Sequence, residues 1–300
     1  MSMLTRIEQA LEMSFIQVGS ATAPPRLMSA MRHAVFPGGA RIRPQLCVAV
    51  AQACGEDDRA LTNAAAVGIE LLHCASLVHD DMPCFDDANE RRGQTSVHRQ
   101  YGEPLALLTG DALIVMAFQQ LALSAGNNPA RMARVLLTLT QGTGAPDGIV
   151  AGQAWECEPR VELGRYQRAK TGALFVASTC AGAQAAGADP DAWRPLGEAL
   201  GEAYQVADDI RDVMGAVHLG KPTGQDAQHG RPSTAADLGL CGAVDYFRQL
   251  MDEAVESVPV CPSRDLMRQI VLRESERLLP QSACDQIAIH QAALQHRAIA

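Results

Sequence analysis

Aromatic side chains are scarce in this 300-residue chain, at 4% of positions. The long runs are instead rich in Ala, Leu, Met and Gln, which form helices well and strands poorly, so an all-β fold is excluded. Lysine is nearly missing: of 25 basic residues only Lys170 and Lys221 are lysine, and the other 23 are arginine. The nine cysteines contain no Cys-x-x-Cys pair, which argues against a zinc or dithiol motif and reads as scattered reduced thiols. A basic start followed by an apolar stretch is also lacking in residues 1–17, where Glu8 and Glu12 interrupt the pattern, so a cytoplasmic protein is expected. The most apolar stretch, residues 105–125, is broken by Asp111, Gln119 and Gln120; it reads as a buried helix, and no membrane span is expected. Positive charge is in deficit as a whole, with a net charge of −9, which makes nucleic acid and anionic membranes poor partners. Disorder is excluded as a global description by 47% hydrophobic and 20% charged residues.

What is present is helical periodicity. Apolar residues recur at three-to-four spacing, as in Leu61, Ala65, Ile69 and Leu72, or Met132, Val135, Leu136 and Leu139. Gly, Pro and Asn clusters punctuate the chain, among them Pro37-Gly38-Gly39, Gly126-Asn127-Asn128-Pro129, Gly142 to Gly148 and Gly220 to Gly230. No repeat and no long polar linker separates these segments, so a single all-helical domain over 1–300 is expected.

Two acidic clusters stand out, Asp80-Asp81-Met82-Pro83-Cys84-Phe85-Asp86-Asp87 and Asp208-Asp209-Ile210-Arg211-Asp212. Each follows an apolar helical run, so both are expected at helix C-termini, where partial negative charge already accumulates and a cation would be welcome. Asp208 and Asp212 share one helix face, with Gln205 a turn before them, whereas Asp80 and Asp86 converge only if the chain turns at Pro83. Oxygen-only carboxylate clusters suit magnesium, which keeps several waters and bridges to phosphates. Lys170-Thr171-Gly172, Gly220-Lys221-Pro222, Arg91-Arg92 and Arg41-Ile42-Arg43 place scarce cations near these clusters in sequence, and lysine points or arginine forks both suit phosphate oxygens.

These residues resemble the trans-isoprenyl diphosphate synthase, or polyprenyl synthetase, family. The match runs over about residues 36–233 and includes Gly38-Gly39, His73 with Ser76-Leu77-Val78-His79, Arg91-Arg92-Gly93, Thr109-Gly110-Asp111, Gly152-Gln153, Lys170-Thr171-Gly172 and Gly220-Lys221-Pro222. The resemblance implies an all-α bundle with a central active-site cavity, probed by isopentenyl diphosphate and an allylic diphosphate as substrates. It makes Asp80, Asp81, Asp86, Asp208 and Asp212 the metal carboxylates, for three magnesium ions. It puts Arg91, Lys170 and Lys221 on the allylic diphosphate, and Arg43, His73 and Arg92 on isopentenyl diphosphate. Thr171 and Gln205 would stabilise the allyl cation, and Ala75 with Ser76 would set product length, small residues there favouring twenty carbons. A homodimer is implied as well, although burial of the apolar 112–123 face inside one subunit stands as an equal alternative.

Three positions depart from the family pattern. The usual lysine before Arg41 is Ala40, the common aspartate after Gly152-Gln153 is Glu156, and Arg231-Pro232-Ser233 stands where a third lysine often precedes a threonine-tyrosine pair. Such variants resemble the geranylgeranyl diphosphate synthases of bacterial carotenoid and bacteriochlorophyll pathways. A farnesyl diphosphate synthase is the nearest competing reading. A terpene cyclase, a non-catalytic synthase subunit and a metal-dependent phosphohydrolase, suggested by His79-Asp80, are more remote.

Overall fold

Helix-starting residues sit where the local chemistry asks for them. The Ser2 hydroxyl accepts from the Thr5 amide, the Asp58 carboxylate from Leu61 and the Asn128 side chain from Arg131, each satisfying a first-turn donor. The computed structural model describes residues 2–19, 22–36, 38–126, 128–218, 233–280 and 284. Within them the helices are α1 (Met3–Val18), α2 (Pro25–Val35), α3 (Ile42–Ala53), α4 (Arg59–Asp80), α5 (Val97–Tyr101), α6 (Glu103–Leu123), α7 (Pro129–Thr143), α8 (Ile149–Ala154), α9 (Leu163–Gln167), α10 (Ala173–Ala185), α11 (Arg194–His218), α12 (Thr234–Ser257) and α13 (Arg264–Leu278). The all-helical expectation holds, with one small addition. Strands β1 (Glu90–Arg91) and β2 (Gln94–Thr95) pair antiparallel around a two-residue turn. Both turn residues, Arg92 and Gly93, have positive φ, at 54° and 76°, as a tight hairpin of the I′ kind requires.

α4 lies at the centre, packed on α6, α3 and α10. Two core clusters meet along α3 and α10. One face of these helices, with Cys47, Val48, Leu174 and Ala177, joins α4, while the other, with Leu46, Val50, Phe175 and Ala183, joins α11 and α12. Burial pushes the Cys47 and Cys74 thiols up to about 12, so they act as small apolar groups in this core.

Two expectations need correction. The second acidic cluster does not end a helix, because α11 continues to His218, and Asp208 and Asp212 therefore lie within the helix rather than at its negative pole. Nor is the 105–125 segment buried all round. α6 buries Ala106, Leu113, Ala117 and Leu121, while Leu107, Leu108, Val115 and Leu123 are exposed, because α4 covers only one face. α4 and α6 are each long and apolar enough to cross a membrane. The most apolar window of α4 is 78% buried within the fold and that of α6 is 39% buried.

Candidate active site

The first acidic cluster is shaped by the end of α4. Pro83 and the residues around it form successive turns, and the Asp86 amide donates back to the Asp80 carbonyl at 3.0 Å, which closes the loop and brings the two carboxylates to one end of the helix. Asp80 is deeply set; burial and then the charge of Asp86 raise its pKa, opposed by Lys170. The two motifs are joined by a π turn, Arg168–Gly172, between α9 and α10. Lys170 Nζ reaches Asp80 Oδ1 at 3.4 Å, and the adjacent Thr171 hydroxyl donates to Gln205 Oε1 at 2.8 Å on α11. Gln205 Nε2 in turn donates to Asp209 Oδ1 at 2.9 Å. Asp209 is buried and also accepts the Thr234 amide at 2.8 Å, so it fixes Gln205 and the start of α12 while Asp208 and Asp212 stay exposed.

Consecutive arginines serve different places because Arg91 lies on the strand and Arg92 at the hairpin tip. Arg91 Nε donates to Asp81 Oδ1 at 2.9 Å, and its Nη2 donates to the same oxygen. Burial opposes the Arg91 charge, but Asp81 more than offsets it and raises its pKa. Asp81, one of the expected metal carboxylates, is buried and held on Arg91, which lies beside Asp80 at 3.6 Å. Arg92 turns the other way. Its Nη1 donates to the Gly38 carbonyl at 2.7 Å, and its guanidinium fills the space a Cβ at Gly39 would occupy, 2.6 Å from Cζ. Arg92 Nη2 also lies 3.4 Å from His73 Nε2.

Arg43 completes a basic pocket. Its guanidinium lies 4.4 Å from the Phe175 ring centre and 5.2 Å from that of Tyr204, and its buried Nε has no hydrogen-bond partner. Burial pushes its pKa down, and Arg92 adds repulsion. His73 is held neutral by burial first and then by Arg43, Arg92, Arg91 and Arg41, which together keep its pKa well below 6.5. A cluster of cations around a neutral imidazole, with a buried donor unmatched, is a receptor for a polyanion. Arg41 is not part of it; it is buried against Glu70 and Glu8, at 2.6 and 2.8 Å, and ties α1 to α4.

The carboxylates fit a hard divalent ion. Among the described residues no three such donors converge into a closed cage, and one or two carboxylates per ion, with water and phosphate supplying the rest, is how magnesium is held. Glu156 accepts from Lys170 Nζ at 2.5 Å, from the Tyr166 hydroxyl at 2.6 Å and from Gln153 Nε2 at 2.9 Å, and so aims the lysine. Glu156 and Tyr166 were absent from the expected site; the four-residue spacing of Tyr166 and Lys170 was the available signal. Gly152 allows this contact, since a Cβ there would lie 2.3 Å from the Lys170 amide nitrogen. Ala75 is fully buried in the core, while Ser76 is half-buried, with its hydroxyl donating to the His73 carbonyl at 2.8 Å. A cavity of about 1180 Å³ opens between α7, α10 and α11. Gln205 borders it, and Ala75 and Ser76 do not. Lys221, with the rest of 219–232, lies outside the described residues.

Two acidic motifs linked through Lys170, Thr171 and Gln205, with a basic pocket in the same helical bundle, mark a diphosphate-handling enzyme of the isoprenoid synthase fold. The family model for polyprenyl synthetase matches residues 24–261, and the chain belongs to that family. It is 50% identical over 276 residues to a geranylgeranyl diphosphate synthase of Cereibacter sphaeroides, covering 92% of this chain and 96% of that protein. A Zymomonas mobilis FPP/GFPP synthase structure superposes with a TM-score of 0.78 at 31% identity, covering 90% of this chain and 95% of the other. A Helicobacter pylori geranyltransferase solved with magnesium and isoprenyl diphosphate superposes with a TM-score of 0.75 at 27% identity, covering 91% and 97%.

Proposed function

We propose that this chain is a magnesium-dependent prenyltransferase that joins isopentenyl diphosphate head-to-tail to dimethylallyl, geranyl and farnesyl diphosphates, ending at geranylgeranyl diphosphate. The observation that carries the reading is that Lys170 meets Asp80 of the first acidic motif while its neighbour Thr171 holds Gln205, which donates to Asp209 of the second, with the basic residues Arg43, His73 and Arg92 in the same bundle. Asp80, Asp86, Asp208 and Asp212 hold magnesium in this reading, three ions in all, and the metal supplies charge that stabilises the departing diphosphate. Lys170 and Arg91 bind the same leaving group, which carries the charge that grows in the ionising transition state. Arg43, His73 and Arg92 hold isopentenyl diphosphate with its double bond toward the allyl carbon. The oxygens of Thr171 and Gln205 face the positive charge left on the allyl group. The released diphosphate takes the final proton, which fits a site with no evident side-chain base.

The twenty-carbon product is supported by the 50% identity to the Cereibacter sphaeroides geranylgeranyl diphosphate synthase, against 31% for the Zymomonas mobilis FPP/GFPP synthase, and by small residues at Ala75 and Ser76. The exposed row Leu108, Val115 and Leu123 on α6 supports a homodimer closed through that face, with 1–300 working as one catalytic domain. Nine scattered cysteines with no Cys-x-x-Cys pair support a reducing, cytoplasmic setting. The test is a product chromatogram after incubation with magnesium, dimethylallyl diphosphate and isopentenyl diphosphate. A twenty-carbon chain is expected. Phosphate release without elongation points to a hydrolase, hydrocarbon from a longer substrate to a cyclase, and no turnover to a non-catalytic subunit.

A further inference from the structure

Position 40 carries no cation, yet a cation is delivered to it from the far end of the chain. Arg277, on the last turn of α13, donates from Nη1 to the Ala40 carbonyl at 3.3 Å, across 237 residues of sequence. Its Nη2 lies 3.1 Å from Glu274 Oε2, one turn back on the same helix. That contact lacks hydrogen-bond geometry, so it acts as a charge contact that steers the guanidinium rather than consuming its donors. The Arg277 side chain is 39% exposed, which leaves part of its donor fork open.

Its location gives this arrangement a purpose. Gly38 and Ala40 belong to one turn, and each carbonyl holds an arginine: Arg92 on Gly38 at 2.7 Å and Arg277 on Ala40. Gly38 and Ala40 lie two residues apart, so the two guanidinium groups are anchored on neighbouring carbonyls of the segment where Arg92 also meets His73. A structural role alone does not call for a charge here, since the Ala40 carbonyl already accepts from Gln45 Nε2 at 2.9 Å. A second fork beside Arg92 suits a group with several anionic oxygens.

We propose that Arg277 is a binding residue for the diphosphate of isopentenyl diphosphate, supplying from α13 the positive charge that Ala40 does not. This rests on the prenyltransferase reading above. The full chain is prepared as wild type, Arg277→Gln, Ala40→Lys and the double variant. Steady-state constants are measured for isopentenyl diphosphate and for the allylic substrate, with circular dichroism as the check on folding. Arg277→Gln should raise KM for isopentenyl diphosphate about tenfold, the scale of one lost hydrogen bond to a charged group, and change the allylic KM less than about twofold. Ala40→Lys in the Arg277→Gln background should recover most of that loss. An unchanged KM for isopentenyl diphosphate, an equal rise in both constants, or no recovery in the double variant would overturn the assignment. If Arg277→Gln does not fold, Arg277→Lys carries the test: a rise confined to isopentenyl diphosphate supports the role, and a flat result overturns it. Failure of the underlying reading looks different, since the wild type itself would then form no elongated product.

Discussion

Lys170 Nζ lies 3.4 Å from Asp80 Oδ1, so a cation already rests against the first acidic motif before any substrate arrives. Burial raises the pKa of Asp80, and Asp86 and Glu156 add to it, while Lys170 and Arg91, 3.6 Å away, oppose it without cancelling it. A divalent ion held by these carboxylates would make up the difference. In the proposed function these groups act on charge that develops as the diphosphate leaves, so their loss is expected to fall on turnover rather than on folding. Asp80→Ala and Asp208→Ala should each lower kcat by several orders of magnitude with an unchanged helical circular dichroism spectrum. Near-normal kcat in either variant would remove that carboxylate from the metal site.

The aim of Lys170 depends on Glu156, which also accepts from Tyr166. Glu156→Gln keeps the size but removes the charge, and should raise KM for the allylic diphosphate about tenfold while leaving that for isopentenyl diphosphate nearly unchanged. Glu156→Asp, the side chain common in the family, keeps the charge and should stay within a few-fold of wild type. A loss in Glu156→Asp with Glu156→Gln near wild type would mean that side-chain length, and not charge, sets the lysine.

His73 makes stability depend on pH with a definite sign. Burial and then the surrounding arginines hold its pKa well below 6.5, while in the unfolded chain it titrates near 6.5. Below that pH the unfolded chain binds a proton that the folded chain refuses, so this contribution is complete above about 6.5 and is lost as pH falls toward the folded value. Between pH 7 and pH 5.5 the wild type should lose about 1 kcal/mol more than His73→Gln in denaturant titrations. Parallel losses in the two proteins would show that His73 does not govern this window.

The residues that carry charge were legible in the sequence, whereas their division of labour was not. Scarce lysines and paired aspartates marked Lys170, Asp80 and Asp208 without any structure, and helical periodicity marked Leu61, Ala65, Ile69 and Leu72, all of which lie on α4. Asp81 could not be separated from Asp80 by spacing, because only the turn after α4 sends one toward Arg91 and the other toward Lys170. The separate assignments of Arg91 and Arg92 came from the family resemblance and not from spacing, because their hairpin of two-residue strands is too short for any alternation to show. Arg277 was invisible for a different reason: its partner is a backbone carbonyl 237 residues away, and no local pattern records such a contact.

Product length tests the geometry below Asp80. On a helix the residue four before another lies on the same face, and the residue five before is turned by roughly 140°, so Ser76 stacks under Asp80 while Ala75 points to a neighbouring sector about 7.5 Å down the axis. The burial agrees, since Ala75 is 1% exposed in the core and Ser76 only half-buried. A growing tail descending from the metal end should therefore meet Ser76 first. Ser76→Phe should shift the main product from twenty carbons to fifteen with both KM values within a few-fold of wild type. Ala75→Tyr should shorten the product too, but the added ring enters packed core and should lower stability by about 1–3 kcal/mol, as overpacking does. Chromatography of the products with thermal denaturation of both variants separates these effects. If Ala75→Tyr makes fifteen carbons at full stability while Ser76→Phe still makes twenty, the tail runs along the Ala75 sector, and the order of the two residues is reversed.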